Sequence, residues 1–457
     1  MKSVYRLFIA LVLMAMMISS CAPAATPAAS EPTTAPEKPA EPVKISIWVE
    51  SFGDGLTAQC IVEQGATVYN EQNTKSITVE AVVQPNNWDA VRTAVSGGGG
   101  PDIVITPGPS FVFEMAKAGL LISLDDYAAK LGWSDQFAPW ALSLGKVDGK
   151  LYSVPHEIEA LVLLYNKTLF DEKGWTPPTT MDEYFALMEE IQKAGIIPNA
   201  AGNAEWRPTN EWYVGEFFNA VAGPENVYKA LKGEKKWTDP EFLEAVELLD
   251  SAMQKGYWQG GLERYYTAKS DEINAQLGAG ESAMMFTGSW SIGSIGRYFG
   301  EAAGNTNDWD WVPVPTKSGV PSFSLGIGST YSINAASKNP EAAAEFLTYY
   351  FSAETQGRMM SKCGVASAPI KITEKELEGV DPRQVKFIVN MSNSAQENKI
   401  GYTTWTFWPP KSDVYIYEEV EKVWAGQITA QDYLAGLDKL FQEELAAGAI
   451  PPIPERK

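Results

Sequence analysis

The sequence predicts an α/β protein with two lobes, for three reasons. Short apolar runs with strand character alternate with helix-like stretches, which is typical of a largely parallel sheet flanked by helices. These units occur in two batches, and strands return late in the chain. The 415 residues that follow position 42 exceed what one hydrophobic core usually covers. We therefore expect two lobes of mixed, mostly parallel sheet that exchange segments, followed by a helical C-terminal region.

Apolar patterning indicates where the strands and the clearest helices lie. The expected strands cover residues 43–49, 77–83, 102–105, 151–154, 158–165, 283–286, 309–314 and 330–334. A helix-like stretch covers 56–73, and another helix begins near Asn86 or Asn87. Thr180-Met181-Asp182-Glu183 is a capping box that opens a helix to about Ala194, and Thr238-Asp239-Pro240-Glu241 opens one to about Lys255.

The N-terminus predicts export. Lys2 and Arg6 flank the start of an apolar run at 7–18, which is shorter than the roughly 20 residues of a membrane-spanning helix. The run ends in Ile18-Ser19-Ser20-Cys21, which resembles the bacterial lipobox; the alternative is a small-residue cleavage site beside a chance cysteine. We expect a signal peptide at 1–20, lipidation of Cys21, and an unfolded Pro-rich tether at 21–42 that anchors the protein to the outer face of the cell membrane.

Charge and cysteine content restrict partners and cofactors. The formal net charge is −21, and about −23 without Lys2 and Arg6, a sign that repels nucleic acid. Besides Cys21, only Cys60 and Cys363 are present, too few and too distant for a zinc site or CxxC redox chemistry. These two either form a disulfide or stay as buried thiols, and both alternatives remain open. We expect no metal and no cofactor.

Catalytic motifs are absent from the sequence. His156 is the single histidine, so there is no HExxH motif, and no Gly-x-Ser-x-Gly elbow occurs. Pro101 and Asp102 follow the glycines at 97–100, where a phosphate loop requires Lys and Ser or Thr. Carboxylate pairs such as Glu157 and Glu159 are compatible with a glycosidase, but acidic chains contain many such pairs by chance. We expect a binding protein and not an enzyme.

Aromatic residues are the positive evidence for binding. The chain has 15 Trp, 19 Tyr and 18 Phe, many of them in segments rich in Gly, Pro and Asn. Flat rings cover the apolar C–H faces of a sugar, while acidic and amide groups bind its hydroxyls. A single tryptophan is more often part of a core, so clusters carry more weight. The candidates are Trp206 with Trp212, Trp290, and Trp405 with Trp408.

Five segments, in the same order along the chain, resemble the extracellular solute-binding proteins of ABC sugar importers, which include the maltose-binding protein. They are GGGGPDIVI at 97–105, AGLLISLDDY at 118–127, DGKLYSVPHEIEALVLLYNKTLF at 148–170, GAGESAMMFTGSW at 278–290 and SINAASKNPEAAAEFL at 332–347. The resemblance implies a sugar ligand in a cleft between the lobes, closure by hinge motion, and delivery to the permease subunits of an ABC transporter by a monomer.

The resemblance also implies lobe boundaries. The N-terminal lobe would comprise 43–155 and 314–366, and the C-terminal lobe 156–313 and 367–457. Hinges would fall near Val154-Pro155, near 313–315 and near 363–369. On this layout Cys60 and Cys363 share the first lobe, which strengthens the case for a disulfide.

Particular site residues follow from the same resemblance. Glu159 falls on the family's sugar-binding acid and Trp290 on its stacking tryptophan. Glu50, Ser51 and Phe52, just after the first strand, and Asn87-Trp88 occupy positions that line the cleft in similar proteins.

The chain also departs from the family pattern. Maltose-binding relatives carry a Trp, Asp and Arg set where this chain has Pro107-Gly108-Pro109-Ser110-Phe111, which argues against maltose itself and makes Ser110 a candidate contact. Trp405 and Trp408 precede the family's C-terminal stacking aromatic by a few residues, so their register is open. Two rival functions also stay open: a secreted carbohydrate-active hydrolase, and a binding protein whose acidic cleft takes a cationic small solute.

Overall fold

The computed structural model describes residues 42–51, 55–85, 87–397 and 399–456. The expected signal peptide, Cys21, the tether up to residue 41 and Phe52 lie outside these ranges. Within the described ranges, no helix combines the length and the apolar character needed to cross a membrane.

The strands of the described chain form one large mixed sheet and a small hairpin. The large sheet runs in the order β2-β1-β3-β10-β6-β8-β7, with β11 beside β10 and β9 beside β6, and the hairpin is β4-β5. The strands are β1 Val43–Ser51, β2 Ile77–Pro85, β3 Ile103–Thr106, β4 Lys146–Val147, β5 Lys150–Leu151, β6 Val154–Asn166, β7 Ile197–Asn199, β8 Ser282–Gly288, β9 Trp309–Pro313, β10 Phe323–Ile333 and β11 Ile400–Tyr402. Pairing is parallel for β1-β2, β1-β3, β7-β8 and β10-β11, and antiparallel where β6 and β10 meet other long strands.

Two long strands divide the sheet into two halves. The start of β6 pairs with β10, whereas Leu161 to Asn166 pair with β8 and β9. The end of β10, Thr330 to Ile333, pairs with β3. β6 and β10 therefore connect a first set of strands, β1 to β3, with a second set, β7 to β9. This confirms the predicted two-lobed α/β fold.

Helices cover both strand sets and make up most of the C-terminal region. They are α1 Leu56–Ile61, α2 Val68–Gln72, α3 Asn87–Ser96, α4 Pro109–Lys117, α5 Asp125–Lys130, α6 Trp133–Gln136, α7 Pro139–Leu144, α8 Lys167–Lys173, α9 Met181–Lys193, α10 Thr209–Phe217, α11 Pro224–Leu231, α12 Pro240–Gln254, α13 Leu262–Thr267, α14 Ser270–Ala279, α15 Pro340–Tyr350, α16 Ala353–Cys363, α17 Pro382–Gln396, α18 Thr404–Phe407, α19 Pro410–Trp424 and α20 Ala430–Ala446. π-helical turns follow α1 and α10 at Val62–Thr67 and Phe218–Ala222, and 3₁₀ turns lie at Ser289–Ser291, Ile295–Tyr298 and Glu301–Ala303.

Local sequence signals explain where elements begin and which faces are buried. The predicted capping box at Thr180 is present, with the hydroxyl and the Glu183 carboxyl each accepting a backbone N–H, and it opens α9. In β1, Ile45, Ile47 and Val49 are buried while the residues between them are not, as expected for a strand with one covered face. β3 is buried throughout, which suits a strand covered on both faces.

The second crossover lies later in the chain than the resemblance implied. Residues 314–322 pack on the second strand set: Thr316 bridges to Thr180, and the Lys317 backbone N–H donates to the Ala220 carbonyl at 2.8 Å. The Lys317 ammonium also pairs with Glu244 at 2.6 Å. The passage between lobes therefore occurs within β10 and not at 313–315.

Cys60 and Cys363 form a disulfide in the first lobe. Cys60 lies in α1 and Cys363 ends α16, and their Cα atoms are 5.5 Å apart. The bond joins positions 303 residues apart, so it cross-links the first and last segments of this lobe. The chain after Cys363 then passes beside β6, where the Ile158 N–H donates to the Ser367 carbonyl at 2.8 Å.

Candidate functional site

A cavity of about 360 Å³ lies where the two strand sets meet. Glu50 and Pro107 reach it from the carboxyl ends of β1 and β3, the usual position of ligand sites in α/β sheets. The start of β6 and the end of β10 contribute further lining residues, and the segment before α10 and the turn after β8 contribute several aromatic side chains. The size is within the usual range for small-molecule sites.

Two carboxyl groups on β6 line the cavity side by side. Glu157 and Glu159 are two residues apart on one strand, so both side chains project from the same face. Burial raises the pKa of Glu157 to about 7, and burial together with the neighbouring charge of Glu157 raises the pKa of Glu159 well above 4.5. The two carboxyl groups interact with each other, and burial favours the protonated form of both.

A glycine makes room for the Glu159 carboxyl. Any β-carbon at Gly328 of β10 would overlap this carboxyl group, so the side chain occupies the space above the neighbouring strand. The indole N–H of Trp405 faces the same carboxyl and lowers its pKa, although the contact falls short of hydrogen-bond geometry. Glu159 is thus held in place by packing and not by an ion pair among the described residues.

His156 lies between the carboxyl group of Glu157 and two tyrosine hydroxyls of the first lobe. Its Nε2 lies 3.2 Å from the Tyr350 hydroxyl, which lies 3.0 Å from the Tyr331 hydroxyl, and its Nδ1 lies 3.1 Å from Glu157. Burial lowers the pKa of His156 to about 3, so the ring is neutral. The imidazole therefore bonds the Tyr350 hydroxyl, while its Nδ1 lies near Glu157 without hydrogen-bond geometry.

Three tryptophans form an aromatic surface in the cavity. The Trp290 ring lies 4.8 Å from that of Trp212 and 6.0 Å from that of Trp405, measured between ring centroids. The Trp290 ring folds back over Gly288, where any β-carbon would overlap it. Trp405 is buried, while Trp212 and Trp290 are partly exposed and accessible to a ligand.

Two more glutamates line the wall beside this surface. Glu205 accepts the backbone N–H of Ser270 at 2.9 Å. Glu211, in the first turn of α10, is 2% exposed, and its Oε2 has no hydrogen-bond partner. Burial, followed by the charge of Asp413 behind it, raises the pKa of Glu211 well above 4.5.

One arginine crosses from the second lobe to the first. The Arg297 guanidinium donates to the Thr57 hydroxyl of α1 at 2.9 Å and lies 5.8 Å from the centre of the Tyr298 ring. The backbones at Gly293 and Gly364 approach too closely for any side chain at either position. These contacts hold the two sides of the cavity together near its edge.

The structure brings together six of the residues predicted from the sequence. They all line the cavity and are Glu50, Glu159, Trp206, Trp212, Trp290 and Trp405. The side chain of Asn87 is not described, and Phe52 lies outside the described residues.

Four predicted residues lie elsewhere. Trp408 is 0% exposed and packs 5.2 Å from Trp237 in the core, so its assignment to the ligand site was wrong. Ser110 is also buried and donates to the Trp408 carbonyl at 2.8 Å. Trp88 packs edge-on against Phe111 and does not line the cavity. Ser51 pairs with Pro85 at the end of β1 and does not line the cavity.

Sequence reasoning missed several lining residues. Glu205 and Glu211 were not singled out, although each directly precedes a candidate tryptophan, Trp206 or Trp212. The position of each glutamate next to a candidate tryptophan could have identified it as a lining residue. Arg297 carried no such signal, because its role depends on a contact with α1 that is distant in sequence.

The arrangement suits binding better than hydrolysis. A glycosidase needs two carboxyl groups on opposite sides of the scissile bond, roughly 5 to 10 Å apart. Glu157 and Glu159 project from the same face of one strand, so this pair does not lie on opposite sides of a bound glycosidic bond. Among the described residues, no group of three or more His, Cys, Asp or Glu side chains could hold a metal ion.

Comparison with known proteins gives a consistent picture. The family model for bacterial extracellular solute-binding proteins matches residues 50–357. An uncharacterized ABC transporter extracellular-binding protein of Pyrococcus horikoshii is 25% identical over 394 residues, 83% of each chain. The maltotriose-binding protein of Pyrococcus abyssi is 28% identical over 216 residues, which are 46% of this chain and 43% of that one. The chain thus spans less than half the length of some relatives it matches, including another P. horikoshii protein at 45%.

A solved structure agrees with the fold. A chitin oligosaccharide binding protein superposes with a TM-score of 0.72 at 23% identity, covering 88% of this chain and 99% of that one. The relatives are binding proteins of ABC transporters and not enzymes.

Proposed function

We propose that this chain, which belongs to the bacterial extracellular solute-binding proteins, captures a sugar in the cavity and delivers it to the permease of an ABC transporter. The observation that supports this proposal most directly is the combination of a partly exposed tryptophan surface with buried carboxyl groups in one cavity. A sugar ring packs its C–H face on Trp290 and Trp212, and its hydroxyls bind Glu159 and Glu157. A maltotriose-binding relative supports the choice of a saccharide.

The ligand acts by stabilising the closed arrangement of the two lobes. Groups on both sides of β6 and β10 line the cavity, so a sugar that contacts both sides favours closure. The hydrogen bond between Arg297 and Thr57 and the close approach of the backbones at Gly293 and Gly364 belong to that closed arrangement. The closed form then presents both lobes to the permease.

Calorimetry of the purified exported protein against neutral mono-, di- and trisaccharides tests this function. We expect saturable heat with at least one sugar, together with a compaction measured by small-angle X-ray scattering. No heat with any sugar of a broad panel, or release of shorter sugars from an oligosaccharide without a transporter, would contradict the proposal.

We further propose that Cys21 carries the lipid that holds the protein at the outer face of the cell membrane. The support is the apolar run and the lipobox-like tetrapeptide before it. Cys21→Ser should release the protein from the membrane fraction, and incorporation of labelled palmitate should disappear with it. Retention of both in the variant would contradict the anchor.

A further inference from the structure

The charged groups that line the cavity are mostly of one sign. Five glutamates reach it: Glu50, Glu157, Glu159, Glu205 and Glu211. Among the described lining residues, Arg297 is the one cationic side chain, and no lysine is present. Burial favours the protonated forms of Glu157, Glu159 and Glu211. A bound solute that brings positive charge favours their ionised forms, whereas an anionic sugar does not.

Glu211 is the lining group that is best suited to bind such a solute. It is 2% exposed, its Oε2 has no hydrogen-bond partner, and it lines the cavity. Asp413 lies directly behind it and is 1% exposed, and the interaction between the two carboxyl groups disfavours the ionised form of Glu211. No lysine or arginine of the described chain forms an ion pair with either carboxyl. An unpaired buried carboxyl is costly until a proton or another cation compensates it.

Hydrogen-bond chemistry identifies the kind of cation. A carboxylate only accepts hydrogen bonds, whereas a sugar hydroxyl offers one donor and a protonated amine offers three. The tryptophans that line the cavity together with Glu211 suit a ligand with a flat apolar face, which a small inorganic cation lacks. A saccharide that carries a protonated amine in place of one hydroxyl meets both requirements.

We propose that the solute is an amino sugar with a free amine, whose ammonium group binds Glu211 while its ring packs on Trp212 and Trp290. This inference rests on the proposed function, because it names the substrate class of the same cavity. Trp212 follows Glu211 directly in α10, so the amine-binding and ring-binding groups share one rigid element. Glu205 lies on the same wall and adds to the negative potential there.

Binding of three matched ligands to the unmodified full chain tests the proposal. The ligands are glucosamine, N-acetylglucosamine and glucose, each as monomer, dimer and trimer with the same linkage, with the galacto series in parallel. Titration at about pH 7 and low salt should give at least tenfold tighter binding for the free amine than for its acetylated or hydroxyl counterpart. That preference should shrink as salt is added, because part of it is electrostatic.

Two variants test whether the preference for the amine ligand depends on the carboxyl group of Glu211. Glu211→Gln should reduce the affinity ratio of the amine to the N-acetyl ligand to within about threefold. Glu263→Gln removes one exposed carboxylate outside the cavity, controls for net charge, and should leave that ratio unchanged. If Glu211→Gln does not fold, the ratio measured with the unmodified chain still decides the question.

Equal or tighter binding of the acetylated or hydroxyl ligands would overturn the amine proposal and leave sugar binding intact. An unchanged ratio in a folded Glu211→Gln variant would overturn the assignment to Glu211. Binding of 1,4-diaminobutane without binding of any saccharide would overturn both the amino-sugar inference and the proposed function.

Discussion

Two tryptophan clusters in this molecule have similar composition and different surroundings. Trp212, Trp290 and Trp405 line a cavity beside carboxyl groups, whereas Trp237 and Trp408 lie 5.2 Å apart among phenylalanines such as Phe242. Both core tryptophans are 0% exposed. Aromatic density alone therefore does not identify a ligand site. Buried carboxyl groups, and glycines that make room for rings and carboxyls, distinguish the functional cluster from the structural one.

The largest expected difference between the clusters is in folding stability. Trp408→Ala removes a fully buried ring that contacts Trp237, so it should lower the free energy of unfolding by about 3–5 kcal/mol. Trp290→Ala should lower it by less than about 1 kcal/mol, because that ring is partly exposed. Denaturant unfolding followed by circular dichroism measures both. Equal losses in the two variants would show that the clusters do not differ in role.

The buried carboxyl groups of the cavity, which the core tryptophan cluster lacks, make folding stability depend on pH. Burial raises the pKa of Glu157 to about 7, while in the unfolded chain the group titrates near its ordinary value of 4.5. The folded state therefore binds more protons between these values, and its stability is full below about pH 4.5 and decreases as the pH rises through about 7. The loss from this group is at most about 3 kcal/mol.

Thermal unfolding between pH 5 and pH 8 checks the sign. Glu157→Gln removes one of the titrating groups and should reduce the slope of the profile, whereas Glu263→Gln, at an exposed position, should leave the slope unchanged. A wild-type protein that becomes more stable across this range would contradict the raised pKa.

Much of the fold is predictable from local sequence, because periodic burial and capping act over a few residues. The alternation in β1 and the capping box at Thr180 both appear where the pattern places them. The passage between lobes was misplaced because residues 314–322 are held by Thr180, Ala220 and Glu244, which are distant in sequence. Long-range contacts of this kind leave no local signal.

The site was less predictable than the fold. Glu159 and Trp290 were predicted from a family resemblance. Trp405 and Trp408 lie only three residues apart, yet Trp405 lines the cavity and Trp408 lies in the core. α18 ends at Phe407, and Trp408 has an extended backbone that turns its ring into the core. Glu205 and Glu211 were missed because an acidic chain with 57 Asp and Glu residues contains many exposed carboxylates that do nothing specific.

A third expected effect concerns the glycine that accommodates Glu159. Gly328→Ala places a methyl group where the Glu159 carboxyl lies, so this side chain must move away from the ligand. Loss of hydrogen bonds to a buried carboxyl should weaken sugar binding by about 1.5–3 kcal/mol, roughly tenfold or more. Isothermal titration calorimetry measures the change.

Gly99→Ala is the control, because the added β-carbon makes only an ordinary van der Waals contact there, and it should leave affinity unchanged. Wild-type affinity in a folded Gly328→Ala variant would show that the position of Glu159 is irrelevant to binding.

The smallest expected effect is the contribution of one ring to affinity, and it tests the functional role of the cavity cluster most directly. Trp290→Ala removes the surface on which a sugar ring packs and should weaken binding by slightly more than about 1 kcal/mol, or about fivefold. Trp88→Ala is the matched control, because this tryptophan packs against Phe111 outside the cavity and should change stability but not affinity. Titration of both variants with the same sugar separates the two roles. If Trp88→Ala weakens binding as much as Trp290→Ala does, the loss reflects general destabilisation and the cavity tryptophans do not form a stacking surface.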